Sequence, residues 1–199
     1  MSDNESEWLV LALEGDDEAF TRLVEMYQRP VYNLCYRMLG TAGDAEDAAQ
    51  ETFMRAYKSL ARYDRSRSFA TWLLSIASHY CIDQLRKNRF STLSIDNEDH
   101  AWLEPPDPGP SPESSFTVNE RQAQVQALLA NLGAKDRAAV VMRYWYDYSY
   151  EEIAESLSMT VSAVKSRLHR ARRDLAVEWQ THQKQTLAVE RISHESPAF

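Results

Sequence analysis

The sequence has few of the residues that covalent cross-links and metal sites require. Its two cysteines, Cys35 and Cys81, are far apart and form no CxxC pair, so neither a disulfide framework nor a zinc site is expected. His79 lies two residues before Cys81, a poor spacing for two metal ligands on one helical face, and we interpret both residues as structural. We therefore predict a protein without a metal or other cofactor.

Long hydrophobic runs and catalytic signatures are also missing. No stretch approaches the roughly 20 apolar residues of a membrane span, and the acidic start MSDNESEW lacks the basic region of a signal peptide. We find no glycine-rich phosphate loop, no nucleophile–base motif and no metal-ligand spacing. These absences predict a cytoplasmic protein that is not membrane-inserted, is not an enzyme and has no small-molecule substrate.

Acidic residues outnumber basic ones, but the two kinds are unevenly distributed. The 199-residue chain has a net charge of −8, and its 44% hydrophobic content supports a folded core. Residues 1–61 carry twelve acids and five bases, whereas residues 62–90 carry six bases and two acids. A basic segment of an acidic protein still binds phosphates, because such contacts depend on the local charge.

The stretch from Ser149 to Leu175 has the pattern of two short helices joined by a tight turn. Ser149 and Glu152 form a capping box for the first helix, and Thr160 is placed to cap the second. The second helix has an apolar stripe at helical spacing, made of Val161, Val164, Leu168, Ala171 and Leu175. Hydroxyls and cations occupy its other faces: Ser162, Lys165, Ser166, His169, Arg170 and Arg173. This pattern is typical of a helix-turn-helix that reads the major groove of DNA.

The alternative is a solvated basic face on an ordinary helix hairpin. Five cations between Lys165 and Arg173 face a single acid of the same stretch, Asp174, and the acids gather on the preceding helix. This segregation of charge favours presentation of the second helix to an anion, and DNA is the leading candidate.

Two helices are predicted before residue 61. We expect Asp16–Gly40 to be helical, with Pro30 kinking it or starting another helix and with Gly40 and Gly43 closing it. The segment Asp44–Leu60 is amphipathic, with Asp44 as its expected N-cap. Eight of its residues are predicted to face inward: Ala45, Ala48, Ala49, Thr52, Phe53, Ala56, Tyr57 and Leu60. Its outer face is either simply solvated or a docking surface for a basic helical partner.

An arginine-rich loop, Ala61–Ser68, follows and leads into a predicted helix over Phe69–Arg89. That helix ends in a basic cluster, and cations there also complement the helix dipole. The loop and the helix end together suit a single strand held by its phosphates, with Tyr63 or a neighbour stacking on a base.

Residues 91–119 differ in composition from both flanking segments. They hold five of the seven prolines and six acids but no lysine or arginine, as a flexible linker does. Two more helices, Glu120–Leu132 and Asp136–Tyr148, are predicted to pack through residues that include Val125, Leu128 and Tyr144. We therefore predict an all-α fold of two small helical domains, 1–90 and 120–178, joined by the linker 91–119. A tail of unknown role, 179–199, follows a last helix that ends near Val177.

Three of these segments resemble the extracytoplasmic-function group of bacterial RNA polymerase sigma factors, which are two-domain initiation subunits. DAEDAAQETFMRAYKSL is similar to the polymerase-docking helix, FATWLLSIASHYCIDQLRK to the promoter-melting helix, and YSYEEIAESLSMTVSAVKSRLHRARRDL to the promoter-reading helix-turn-helix. The resemblance covers roughly residues 7–178. It implies a transcription initiation factor whose partners are core RNA polymerase, promoter DNA and an anti-sigma factor.

The resemblance also implies three sets of contact residues. The set for the clamp coiled coil of the large polymerase subunit is Asp47, Gln50, Glu51, Phe53 and Met54, although periodicity alone buries Phe53. The set for the −10 promoter element is Arg62, Tyr63, Arg65, Arg67, His79, Arg86 and Lys87, with His79 standing where the family often has asparagine. The set for the −35 element is Ser162, Lys165, Ser166, His169, Arg170 and Arg173.

A stand-alone helix-turn-helix regulator is the other function that the sequence leaves open. Its N-terminal domain would dimerise or bind an effector. One recognition helix per chain requires a symmetric dimer, and no coiled-coil seam in the sequence supports one.

Overall fold

The computed structural model describes residues 3–94 and 114–194, with side chains for residues 4–88 and 122–179. Within these ranges the chain is helical and has no strand, which confirms the predicted all-α class. The helices are α1 (Asp3–Leu13), α2 (Asp17–Leu39), α3 (Ala42–Ser59), α4 (Phe69–Ser94), α5 (Ser114–Ala130), α6 (Ala134–Trp145), α7 (Tyr150–Ser156) and α8 (Val161–His194). A 3-10 turn spans Leu60–Arg62. Most of the predicted linker (95–113) and the end of the tail (195–199) lie outside the described residues.

The first four helices, here the N-terminal half, pack around one apolar core. Asp16 caps α2 by accepting hydrogen bonds from the backbone N–H groups of Glu18 and Ala19, and Gly40 ends the helix with a φ of 95°. Pro30 lies inside α2 and does not start a new helix, so the second of the two alternatives predicted for it is wrong. The helix tolerates the lost hydrogen bond because the residues that follow Pro30, among them Val31 and Leu34, are buried in the core.

The start of α3 also differs from the prediction. The N-cap is Thr41 rather than Asp44, and Gly43 lies inside α3 rather than closing α2. Tyr57, which was predicted to face inward, is 52% exposed. Its ring contacts the edge of Phe20, and its hydroxyl donates a hydrogen bond to Asp17 at 2.6 Å. Tyr57 therefore lies at the rim of the core, because a tyrosine can pack its ring while keeping its hydroxyl near water.

Helix α1 was not predicted from the sequence. It packs on α2 through Leu9 and Ala12, which are 4% and 7% exposed. Glu5 is also buried, and its carboxylate accepts a hydrogen bond from the Tyr27 hydroxyl at 2.7 Å. The acids of this short segment precede one unbroken apolar run, Trp8 to Leu13, so apolar residues fall on all sides of the helix, its periodicity is weak and tertiary packing decides its structure.

The last four helices are here called the C-terminal half, and several of their ends differ from the prediction. Helices α5 and α6 end at Ala130 and Trp145, before the predicted Leu132 and Tyr148. Helix α5 begins at Ser114 and α4 ends at Ser94, so helices occupy both ends of the predicted linker. Val125 and Tyr144 are 36% and 55% exposed, so their predicted packing is wrong. Helix α8 continues to His194 instead of ending near Val177.

The two halves contact each other where α5 and α6 approach α2 and where α6 and α7 approach α4. The Arg137 guanidinium donates to the Met38 carbonyl at 2.6 Å, and the Gln126 amide donates to the Tyr36 carbonyl at 2.9 Å. The Tyr146 hydroxyl donates to the Pro30 carbonyl at 2.6 Å. Groups of the C-terminal half therefore donate to three carbonyls of α2. The Met38 carbonyl lies in the last turn, where helix carbonyls lack intrahelical partners, whereas the Tyr36 carbonyl also accepts from the Gly40 N–H.

A matched pair of substitutions tests the capping box at the start of α7. The Glu152 carboxylate accepts from the Ser149 backbone N–H at 2.8 Å, and the Ser149 hydroxyl accepts from the Glu152 N–H at 3.1 Å. We expect Glu152→Ala to lower the free energy of unfolding by about 1 kcal/mol. Glu151→Ala, an exposed change in the same turn, is expected to cost less than about 0.5 kcal/mol. Equal unfolding midpoints for the two variants in urea would contradict a stabilising role of the box.

Candidate DNA- and protein-binding surfaces

The helix-turn-helix is built as its sequence pattern predicts. The turn between α7 and α8 passes through Ser158, whose φ is 52°. The Thr160 hydroxyl accepts from the Ala163 backbone N–H at 3.2 Å and so caps α8. Val164, Leu168 and Ala171 are at most 1% exposed, which fixes the rotation of the helix. The six residues predicted to meet the −35 element are all exposed: Ser162, Lys165, Ser166, His169, Arg170 and Arg173.

The basic face of α8 is more neutralised than the sequence indicated. Asp136 of α6 forms ion pairs with Arg167 at 2.5 Å and with Arg170 at 3.3 Å. The expectation that the cations face only Asp174 is therefore wrong, since their acid comes from a distant part of the chain. Lys165 lies 5.6 Å from the centre of the Tyr150 ring, a cation–π distance that limits its freedom.

Helix α3 presents a polar face with one exposed methionine. Asp47, Gln50 and Met54 are exposed. Glu51 is half-buried, and its carboxylate accepts from Arg55 at 2.7 Å. Phe53 packs against the core and is only partly accessible. An acidic and amide surface around an exposed apolar side chain suits a basic helical partner.

The arginine-rich loop exposes its cations but not its tyrosine. Arg62, Arg65 and Arg67 are exposed. Tyr63 is 7% exposed, and its ring lies 5.0 Å from that of Trp72, centre to centre. Burial raises the pKa of the Tyr63 hydroxyl, which donates a hydrogen bond to the Arg67 carbonyl. The predicted stacking of Tyr63 on a base is not supported, because its ring packs in the core and its hydroxyl is bonded within the loop.

The loop is also tied to the C-terminal half. The Arg67 guanidinium contacts the Glu155 carboxylate of α7 at 2.7 Å, and both side chains are about half exposed. Sequence reasoning missed Glu155 and Asp136 as partners of the basic surfaces, because neither lies near its arginine in the chain. An excess of acids on α7 was the only signal, and it did not identify the pairing.

The other −10 candidates lie along α4. His79 is exposed, and its Nδ1 lies 2.8 Å from the Ser75 carbonyl oxygen. Arg86 and Lys87 are exposed further along the same helix. Cys81 is fully buried against Cys35, and a hydrogen bond with Cys35 together with burial raises the pKa of its thiol. That environment agrees with a structural role for the cysteines.

Two family models match the chain. Sigma-70 region 2 matches residues 23–91, and Sigma-70, region 4 matches residues 122–175. The chain is 36% identical over 168 residues to the ECF RNA polymerase sigma factor SigW of Bacillus subtilis, with 81% of this chain and 89% of SigW covered. It is 33% identical over 188 residues to the ECF RNA polymerase sigma factor SigE of Mycolicibacterium smegmatis, with 93% and 72% covered.

Solved structures share the fold. CnrH, solved in complex with the cytosolic domain of CnrY, superposes with a TM-score of 0.66 at 23% identity over 90% of this chain and 99% of CnrH. The sigma factor RpoE of Bartonella quintana, solved with the anti-sigma factor NepR, gives a TM-score of 0.61 at 22% identity over 78% and 93%. Among the described residues, none of the helices combines the length and the apolar character needed to cross a bilayer.

Proposed function

The chain belongs to the ECF family of RNA polymerase sigma factors, and we propose that its two halves divide the work of promoter recognition between them. As an alternative sigma factor it directs RNA polymerase to promoters and is not an enzyme. The family assignment also decides against the stand-alone regulator. We propose that it acts in the cytoplasm and, like RpoE in its solved complex, is held by an anti-sigma factor.

The start of α8 is the proposed reader of the −35 element. What supports this role most is that all six predicted side chains are exposed on one helix whose rotation the buried stripe fixes. Ser162 and Ser166 are small enough for close approach to base edges, and Lys165, His169 and Arg173 supply donors to bases and phosphates. Arg170 would have to exchange Asp136 for a phosphate.

The loop after α3 and the outer face of α4 are the proposed −10 surface. Arg62 and Arg65 are exposed and form no ion pair with another described residue, while Arg67 must leave Glu155 before it can bind DNA. Flipping a base costs a few kcal/mol, so the isolated protein is expected to bind promoters weakly and with strong salt dependence. Polymerase, docked on α3, supplies the remaining free energy.

Contact between the halves is incompatible with simultaneous reading of both elements. Two sites a couple of helical turns apart lie on the order of 70 Å from each other along DNA. The 19 residues between α4 and α5, 95–113, reach about 60 Å when extended, and the flanking ends of α4 and α5 supply the remaining length once the halves separate. We propose that binding to polymerase separates them.

Polymerase docking is tested by reversing the charge on the exposed face of α3. Glu51→Arg combined with Gln50→Ala is expected to abolish co-purification with core RNA polymerase, because it places cations opposite a basic partner. The matched control is Glu25→Arg with Gln28→Ala, the same changes on the exposed face of α2. An unchanged complex with the α3 variant, or equal loss with the α2 control, would contradict docking through α3.

Reading of the −35 element is tested in the assembled holoenzyme. Lys165→Ala is expected to weaken binding to a promoter with an intact −35 element by about tenfold, as loss of a base-edge donor does. It should change binding to a scrambled −35 element much less. Arg172→Ala on the same helix removes a cation outside the predicted reading set and is the control. If both variants lose affinity equally for both promoters, Lys165 contributes charge but no specificity.

A further inference from the structure

A cleft of about 580 Å³ lies between α4 of the N-terminal half and the turn that joins α5 to α6. Its lining includes one acid, Asp136, and four cations: Arg86, Lys135, Arg137 and Arg167. The lining therefore has a formal charge of +3 in a chain whose net charge is −8. None of the contacts assigned above to polymerase or to the −35 element uses Lys135 or Arg137.

Arg137 is the unusual member of this group. It is 7% exposed, and its guanidinium donates one hydrogen bond to the Met38 carbonyl. Its Nε has no hydrogen-bond partner among the described residues, and no carboxylate of those residues forms an ion pair with it. Removal from water lowers the pKa of Arg137 to about 10. A buried cation without a carboxylate partner is costly, and an anion in the cleft that Arg137 lines would offset that cost.

The start of α6 adds backbone donors to the same wall. This helix of 12 residues begins after Gly133, whose lack of a side chain leaves the first turn without a side-chain cap. Gly133, Ala134 and Lys135 all line the cleft. The uncapped N–H groups and the helix dipole favour a negative charge there. Asp136, in the same turn, is already engaged by Arg167 and Arg170.

We propose that this cleft is a binding site for a small phosphate-bearing anion. The guanidinium fork of Arg137, the Lys135 ammonium and the N–H groups of α6 together match the several oxygens of a phosphate. The volume lies within the range of small-molecule sites, from about 300 to 1,000 Å³. Inorganic polyphosphate and the phosphate chain of a nucleotide share this chemistry.

A bound anion would also connect the two halves of the protein. Arg86 comes from α4, whereas Lys135 and Arg137 come from α6. An anion that contacts both walls has a higher affinity for the protein when its halves are in contact than when they are separated. Its binding therefore increases the population of molecules whose halves are in contact. This consequence rests on the proposed function, but the binding site does not.

Isothermal titration of the full chain with sodium tripolyphosphate, at constant ionic strength, tests the site. The wild type is expected to bind saturably at one site. Lys135→Glu is expected to weaken binding by at least about tenfold, which corresponds to loss of one charge-assisted hydrogen bond. Lys58→Glu, the same change on an exposed turn of α3, is the control and should retain wild-type affinity. Equal affinities in all three proteins, or equal loss in both variants, would overturn the proposal.

Arg137→Lys is the second variant, because lysine retains the charge and a donor for the Met38 carbonyl but removes the guanidinium fork. We expect binding to weaken by about tenfold while the unfolding midpoint stays near that of the wild type; unchanged affinity would count against the site. A parallel titration with ATP distinguishes the two sources, since saturable binding of either anion supports the site and the tighter one identifies its class. Binding of neither anion, with a Lys135-dependent affinity for duplex DNA instead, would reassign the cleft to a DNA phosphate and overturn the proposal.

Discussion

Packing of α6 and α7 against α2 and α4, together with hydrogen bonds to carbonyls of α2, holds the two halves of this sigma factor in contact. The last carbonyls of a helix lack intrahelical partners and carry the negative end of its dipole. Arg137 reaches such a carbonyl, that of Met38, and Gln126 adds a hydrogen bond to the Tyr36 carbonyl, which also accepts from the Gly40 N–H. The position of α6 follows from these contacts. The same contacts place the cleft beside α6 and bring α7 close to the arginine-rich loop.

The strength of this contact suits a protein that must come apart to act. A typical hydrogen bond contributes about 1 kcal/mol net, and a half-exposed ion pair such as Arg67–Glu155 contributes about 0–1 kcal/mol. The polar contacts between the halves therefore amount to a few kcal/mol, to which the packing of α6 and α7 against α2 and α4 adds. This contact favours the joined arrangement in the isolated chain, and a large polymerase interface must offset it.

The sequence predicted the features that depend on neighbours in the chain. The capping box at Ser149, the turn before Thr160 and the buried stripe of α8 all follow from residues within one or two helical turns. The exposure of the −35 set follows from the same periodicity. Three motifs in the order typical of the family identified it, because each motif is similar to a different helical segment of that family.

Features that depend on distant parts of the chain were missed. Tyr63 looks like an exposed loop aromatic in sequence, but the core formed by Phe69 and Trp72 takes up its ring. Asp136 neutralises arginines that lie more than thirty positions away. Helix α1 has too little periodicity to be recognised without α2. In each case tertiary packing overrides a weak local preference, and a single sequence does not reveal such contacts.

Separation of the halves on polymerase is tested most directly by energy transfer between two dyes, one on each half. Exposed positions on α2 and α8, Glu25→Cys and Ala176→Cys, provide the labelling sites. Cys35 and Cys81 are buried and should not compete for the dyes. We predict high transfer in the isolated protein and a large decrease in the promoter-bound holoenzyme. Transfer that stays as high in the holoenzyme as in the isolated protein would contradict the separation on which promoter recognition is proposed to depend.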